Sequence, residues 1–112
     1  MKWLALTLLV AVVASVSITN ARGGGRLSPA QIRFWDRVAA CEEGGRWWQG
    51  GDTYVGGLGI WYGNWWKWAR HLGIRTEASA TGRLDQMRVA QWGYEQDRAW
   101  WGCFEITGLP IV

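Results

Sequence analysis

The chain has 112 residues, with 12 Lys and Arg against 9 Asp and Glu, a net charge of +3 at neutral pH, and it carries 11 Trp, 16 Gly, 2 Pro, 2 Cys and 1 His. That length holds one domain and excludes a (β/α)8 barrel, which needs roughly 200 residues or more. The aromatic load excludes a disordered chain, and so small a positive excess does not point to nucleic acid. Eleven indoles are too many for a core this small, so some must line a groove or an interface.

In chain order, residues 1–21 read as a secretory signal. Met1 and Lys2 form a positive start, residues 3–13 are apolar, and Ala14, Ser15 and Ser17 are small and follow closely. The apolar run is short for a membrane span of about 20 residues. Cleavage is expected after Ala21 or Ser17, with an uncleaved N-terminal anchor as the alternative. Export places the mature protein outside the cell, with no stable membrane insertion after cleavage. Residues 22–27 are a Gly-rich tether without packing potential, and residues 28–112 form the domain. Cys41 and Cys103 are the only cysteines. An oxidising compartment makes them a disulfide by default, two buried free thiols being the alternative.

The domain opens on a helix signal: Ser28 at the N-cap, Pro29 at N1 and Gln31 at N3 make a capping box. This helix is expected to end at Glu43, before Gly44-Gly45, with Ile32, Trp35, Val38 and Ala39 as its apolar stripe. Residues 46–49 and 53–60 flank the turn signal Gly50-Gly51-Asp52 and are expected to form a small β-hairpin. Gly56, Gly57 and Gly59 lack side chains, so a ligand or a bend is expected at their backbone with equal reason. A second helix is expected over 61–72, closed by Gly73, then a loop over 78–82. A third helix over 83–97 follows, with Leu84, Met87, Val89, Ala90 and Tyr94 apolar. The tail after Cys103 is short, apolar and without periodicity. The fold class is therefore a small α+β domain.

Elimination narrows the chemistry. A single histidine, His71, excludes a His-rich metal site, and no Ser-His-Asp motif surrounds it. Gly57-Leu58-Gly59 fails the dinucleotide fingerprint because Tyr62 stands where its third Gly belongs. No cofactor and no metal are implied. Carboxylate chemistry and aromatic binding remain. Glu42 lies seven positions after Trp35, four after Val38 and three after Ala39, so it shares their helix face at its C-terminal end. Apolar surroundings and the negative end of a helix both favour the protonated form of a carboxyl, and such an acid donates to a leaving oxygen. The other reading of Glu42 is a helix-end residue paired with an Arg. Glu43 turns about 100° away and is expected to face solvent. Asp52 is the other acid near the hairpin, at a turn where Asp is ordinary. Trp47, Tyr54, Trp61 and Trp65 are candidate sugar platforms, since flat rings pack on the apolar faces of pyranoses. The backbone of Gly56 and Gly57 is a candidate partner for acetamido groups.

The stretch Phe34-Trp35-Asp36-Arg37-Val38-Ala39-Ala40-Cys41-Glu42-Glu43-Gly44-Gly45-Arg46-Trp47 resembles the opening motif of the resuscitation-promoting factor domain. This is the transglycosylase-like domain of actinobacterial secreted proteins, whose motif reads Trp-Asp-x-Val-Ala-x-Cys-Glu-Ser-Gly-Gly-x-Trp. The likeness continues in Tyr54-Val55-Gly56-Gly57-Leu58, in Trp65, in Arg83-x-x-Gln86-Met87-x-Val89-Ala90 and in Trp101-Gly102-Cys103. The resemblance implies a lysozyme-like fold, with a helix ending in the catalytic Glu42, a short hairpin, two further helices and a Cys41–Cys103 bridge. It implies cleavage of peptidoglycan glycan strands at the β-1,4 bond between N-acetylmuramic acid and N-acetylglucosamine. Glu43 stands where the family has Ser, Gly59 where it has Gln, and Asn64 where it has Thr. The Gln and Thr positions face the family's sugar groove, which adds Asn64 to the substrate-side candidates.

Glycoside cleavage usually takes two carboxylates. A lytic transglycosylase uses one, because the C6 hydroxyl of the substrate is the nucleophile. That route is preferred here, with hydrolysis as its variant. The departures at Gly59 and Asn64 motivate an alternative: a glycan-binding module of the same fold with impaired catalysis. A Trp/Arg-rich membrane-active protein is a third reading, against which stands the lack of an amphipathic helix with a basic face.

Overall fold

The computed structural model describes residues 25–112. The signal reading of residues 1–21, and the first part of the tether, lie outside the described residues.

Helix α1 spans Pro29–Glu43, and its start follows the capping chemistry. The Ser28 hydroxyl accepts the Gln31 N–H at 3.1 Å, and the Gln31 side chain accepts the Ser28 N–H at 2.8 Å. Leu27 at N′ and Ile32 at N4 both pack against the core, in the positions of a hydrophobic staple. The end of the tether is thus a packed helix entry, contrary to the expectation from composition. Phe34 joins Trp35, Val38 and Ala39 on the buried face, whereas Ile32 is only half-buried.

The hairpin turn forms six to seven residues later than its turn signal predicts. Strands β1, Tyr54–Val55, and β2, Ile60–Trp61, pair antiparallel, Tyr54 opposite Trp61 and Val55 opposite Ile60. The connection is therefore Gly56-Gly57-Leu58-Gly59, in which Gly56 and Gly59 take left-handed φ of 74° and 56°. Residues 46–49 are not a strand. Their amides bond locally, Arg46 N–H to Glu43 O and Gln49 N–H to Arg46 O, and donate to no neighbouring strand.

Helix α2 is Tyr62–Ala69, since Trp61 is held in the hairpin. A 3-10 turn, Arg70–Leu72, continues it to the left-handed Gly73. A second 3-10 turn, Ala78–Ala80, interrupts the expected loop. Helix α3 spans Arg83–Asp97, as the sequence predicts. A short helix α4, Phe104–Thr107, closes the chain. Periodicity could not reveal it, because four residues make a single turn. The result is a small mixed domain with a two-stranded sheet, four α-helices and one disulfide among the described residues.

The core is built from indoles that each keep a hydrogen-bond partner. Trp35 lies edge-on to Phe34 and Trp101, with ring centroids 5.1 and 5.0 Å apart. Its Nε1–H donates to Gln91 Oε1 at 2.8 Å. Trp101 donates to Leu58 O at 2.8 Å and Trp65 to Thr76 O at 3.0 Å. A buried indole contributes a large apolar surface only if its one donor is satisfied.

Helix α3 departs from its expected stripe for the same reason. Leu84 is exposed, while Gln86 and Gln91 are buried. The two N–H groups of Gln86 Nε2 are shared among Trp47 O, Ala78 O and Thr81 O at 2.8–2.9 Å, and Gln86 Oε1 accepts the Gly57 N–H at 2.9 Å. One amide thereby ties the 46–57 segment and the 78–81 turn to α3. Replacing it with Leu strands several buried polar groups, each worth about 1–3 kcal/mol when unpaired. Gln86→Leu is expected to lose about 3 kcal/mol or more in chemical denaturation, whereas Trp48→Ala, at an exposed position, should change stability by no more than about 0.5 kcal/mol.

Candidate functional site

The end of α1 sets the position of Glu42. Gly44 adopts φ 63°, and the Gly45 N–H returns to Ala39 O at 3.1 Å, a left-handed stop. Immediately before it, Cys41 is bridged to Cys103, with Cα atoms 6.1 Å apart across 62 positions of sequence. Glu42 Oε2 accepts the Cys103 backbone N–H at 2.9 Å. Bridge and hydrogen bond act in parallel, so the helix end and residues 99–103 form one unit. Glu42 Oε1 has no hydrogen-bond partner among the described residues.

This unit and the hairpin enclose a cleft of about 290 Å³. Glu42 lines it together with Tyr54, Gly59, Trp61, Asn64 and Trp100, over a floor that includes Ile60, Trp68 and Trp101. Tyr54, Trp61 and Trp100 are 59%, 48% and 64% exposed, so each side chain is partly open to solvent. Glu42 is the only carboxylate in the lining.

Glu42, Tyr54, Trp61 and Asn64, expected from sequence, are therefore brought together. Trp47, Trp65, Gly56 and Gly57 are not part of this cleft. Trp65 is 1% exposed and belongs to the core; its position three residues before Trp68 puts both on the buried side of α2. Trp47 is half-buried and lies directly on Gly57, where a Cβ would come within 2.7 Å of its ring. Gly57 is glycine to admit Trp47, not a ligand. The Gly56 N–H is spent on Gln49 O at 2.7 Å and the Gly57 N–H on Gln86. Both glycines are buried, so their amides are closed to an acetamido group.

Two residues that differ from the motif the chain resembles, Glu43 and Gly59, meet each other. Glu43 is half-buried rather than solvent-facing, and its carboxylate accepts from the Gln49 side chain. A Cβ at Gly59 would stand 3.1 Å from Glu43 Oε1. A side chain at 59 would thus press on the larger residue at 43, at a backbone φ that already favours glycine. Asp52 lies in a different recess, beyond the hairpin, and does not flank Glu42. His71 stacks on Trp92 at 4.3 Å, outside the cleft lining.

Trp100 is a site residue that sequence reasoning missed. Its signal was its place three residues before Cys103, because the bridge carries that segment to Glu42. Trp68 was also missed, and its orientation is fixed from behind. Its Nε1–H donates to Asp97 Oδ2 at 2.7 Å, and Lys67 Nζ reaches the same oxygen at 3.0 Å.

These two donors, the indole first and then the lysine, hold the Asp97 carboxyl below its ordinary value of 3.8. A depressed folded-state value stabilises the protein above 3.8, and that contribution is lost as pH falls through the lower, folded value. Acid unfolding below pH 3.8 should therefore be less steep in Asp97→Asn than in the parent, and the two curves should converge at the acid end. Thermal melts across pH 2–6 check this; identical slopes would refute it.

No protein-family model matches the chain, and no curated protein matches it.

Proposed function

We propose that the protein is a secreted peptidoglycan glycosidase of lysozyme-like type, acting as a lytic transglycosylase with Glu42 as its single acid and base. The observation that carries this reading is the clamped Glu42 carboxyl in a cleft with three exposed aromatic side chains. The motif resemblance around Glu42, and its succession through Trp101-Gly102-Cys103, supplies the substrate class. The disulfide is consistent with an oxidising compartment and hence with export.

In the proposed mechanism Tyr54, Trp61 and Trp100 pack on sugar rings, and Asn64 holds a polar edge. With Oε2 engaged by the Cys103 N–H, Oε1 is the oxygen left to deliver the proton. It passes to the glycosidic oxygen as the bond from that oxygen to C1 of the muramic residue breaks. The Glu42 carboxylate then takes the proton of the same residue's C6 hydroxyl, whose oxygen closes on C1 to give a 1,6-anhydro end. No second carboxylate in the cleft is required, since the intramolecular hydroxyl has a high effective concentration. Water in place of the C6 hydroxyl gives the hydrolytic variant.

Glu42→Gln keeps an acceptor for the Cys103 N–H while removing the proton. It should lower release of soluble fragments from purified cell walls by about 10²–10⁴-fold and leave wall binding and the melting temperature unchanged. Mass spectrometry of the digest should show anhydromuramic ends; reducing ends would assign the hydrolytic variant. The Gly59 and Asn64 departures favour a second reading, a wall-binding module without turnover. It is adopted instead if the parent protein binds walls but releases no more than the variant.

A further inference from the structure

A second cleft, of about 260 Å³, opens beyond the hairpin from Glu42. Adjacent residues divide between the two: Tyr54 lines the Glu42 cleft and Val55 the second, Trp61 the first and Tyr62 the second. In the second cleft Tyr62 and Trp66 stand one turn apart on α2, both exposed. Opposite them lie Asp52, from the segment before β1, and Glu77 and Ser79, around the 3-10 turn. No Lys or Arg lines the cleft. The described ion pairs, Lys67–Asp97, Arg83–Asp36 and Arg88–Asp85, do not involve Asp52 or Glu77. Neither carboxylate has a side-chain hydrogen bond among the described residues. Both rims are anchored, because Gln86 binds Trp47 O and the Gly57 N–H on one side and Ala78 O and Thr81 O on the other. Such a recess is formed before a ligand arrives.

We infer that this cleft binds a primary ammonium group carried on a stem or ring with an apolar face. Like charges facing one recess attract a cation and disfavour an anion. Open aromatic faces add cation–π attraction and cover an apolar stem. The inference is independent of the Glu42 reading, because the two linings share no residue. Two sources present this chemistry: a lysine-type side chain and an amino sugar with an unacylated nitrogen.

The test is a titration of the oxidised protein followed by the Trp66 indole N–H in nitrogen–proton correlation spectra. The probes are Nα-acetyl-lysine amide, Nα-acetyl-norleucine amide, which has a similar apolar stem without the ammonium, and glucosamine. A saturable Trp66 shift with lysine amide and none with norleucine amide is expected. Saturation by glucosamine instead assigns the amino-sugar source of the same ammonium. The double variant Asp52→Asn, Glu77→Gln should weaken the Kd about tenfold or more, with its other resonances unmoved. Trp66→Ala, followed at the Tyr62 amide, should weaken it similarly. Glu42→Gln should leave it unchanged, which separates this site from the proposed catalytic one. No saturable shift with either amine, equal shifts with the norleucine amide, or undiminished affinity in the double variant would overturn the inference.

Discussion

The Cys41–Cys103 bridge is the constraint around which the candidate site is assembled. It joins the last turn of α1 to the segment that precedes α4, across most of the described chain. In the chain-entropy picture, closing such a loop contributes about 4 kcal/mol, a large share of what a domain of this size has. Its local consequence matters more for the cleft. The Cys103 N–H lands on Glu42 Oε2, and Trp100 and Trp101 arrive as wall and floor. A side chain at a helix end would ordinarily fray with the last turn. Here it is held covalently on one side and by a hydrogen bond on the other.

The opposite wall depends on a buried amide rather than on a covalent bond. Gln86 collects the irregular segment before β1, the hairpin connection and the 78–81 turn onto α3. A two-residue pairing such as β1–β2 is marginal in isolation. It persists because its flanks are hydrogen-bonded to a helix, and because Gly57 lets Trp47 lie against it. The same anchoring shapes the second cleft, so two recesses with different linings rest on one polar hub. Polar groups in this core do not weaken it, since each indole N–H and each glutamine has its partner.

The tryptophan surplus divides accordingly. Trp35, Trp65, Trp68 and Trp101 are buried, whereas Trp48, Trp61, Trp66 and Trp100 remain exposed. Adjacent pairs split between the two fates, Trp65 inward and Trp66 outward, Trp101 inward and Trp100 outward. Within α2, neighbours point about 100° apart, so Trp65 is placed in the core and Trp66 at the surface, whereas Trp100 and Trp101 lie in the irregular segment before α4. Three of these four open rings line the clefts, Trp61 and Trp100 the first and Trp66 the second.

The sequence by itself determined what is local. Capping chemistry at Ser28 and Gln31, glycine stops at Gly44 and Gly73, and the 83–97 span were all legible, because backbone hydrogen bonds within a helix are decided by residues three to six positions apart. The facing of Glu42 with Trp35 and Val38 was legible for the same reason. Tertiary structure decided the rest. It moved the hairpin turn from Gly50-Gly51-Asp52 to Gly56–Gly59, because Gln49 and Thr53 bond across to Gly56 and Tyr62 instead of continuing a strand. It placed Trp65 in the core, closed the amides of Gly56 and Gly57, separated Asp52 from Glu42, and added Trp100 to the cleft. Each of those outcomes turns on a contact between residues far apart in the chain, and a periodic pattern carries no information about which distant group will satisfy a given donor.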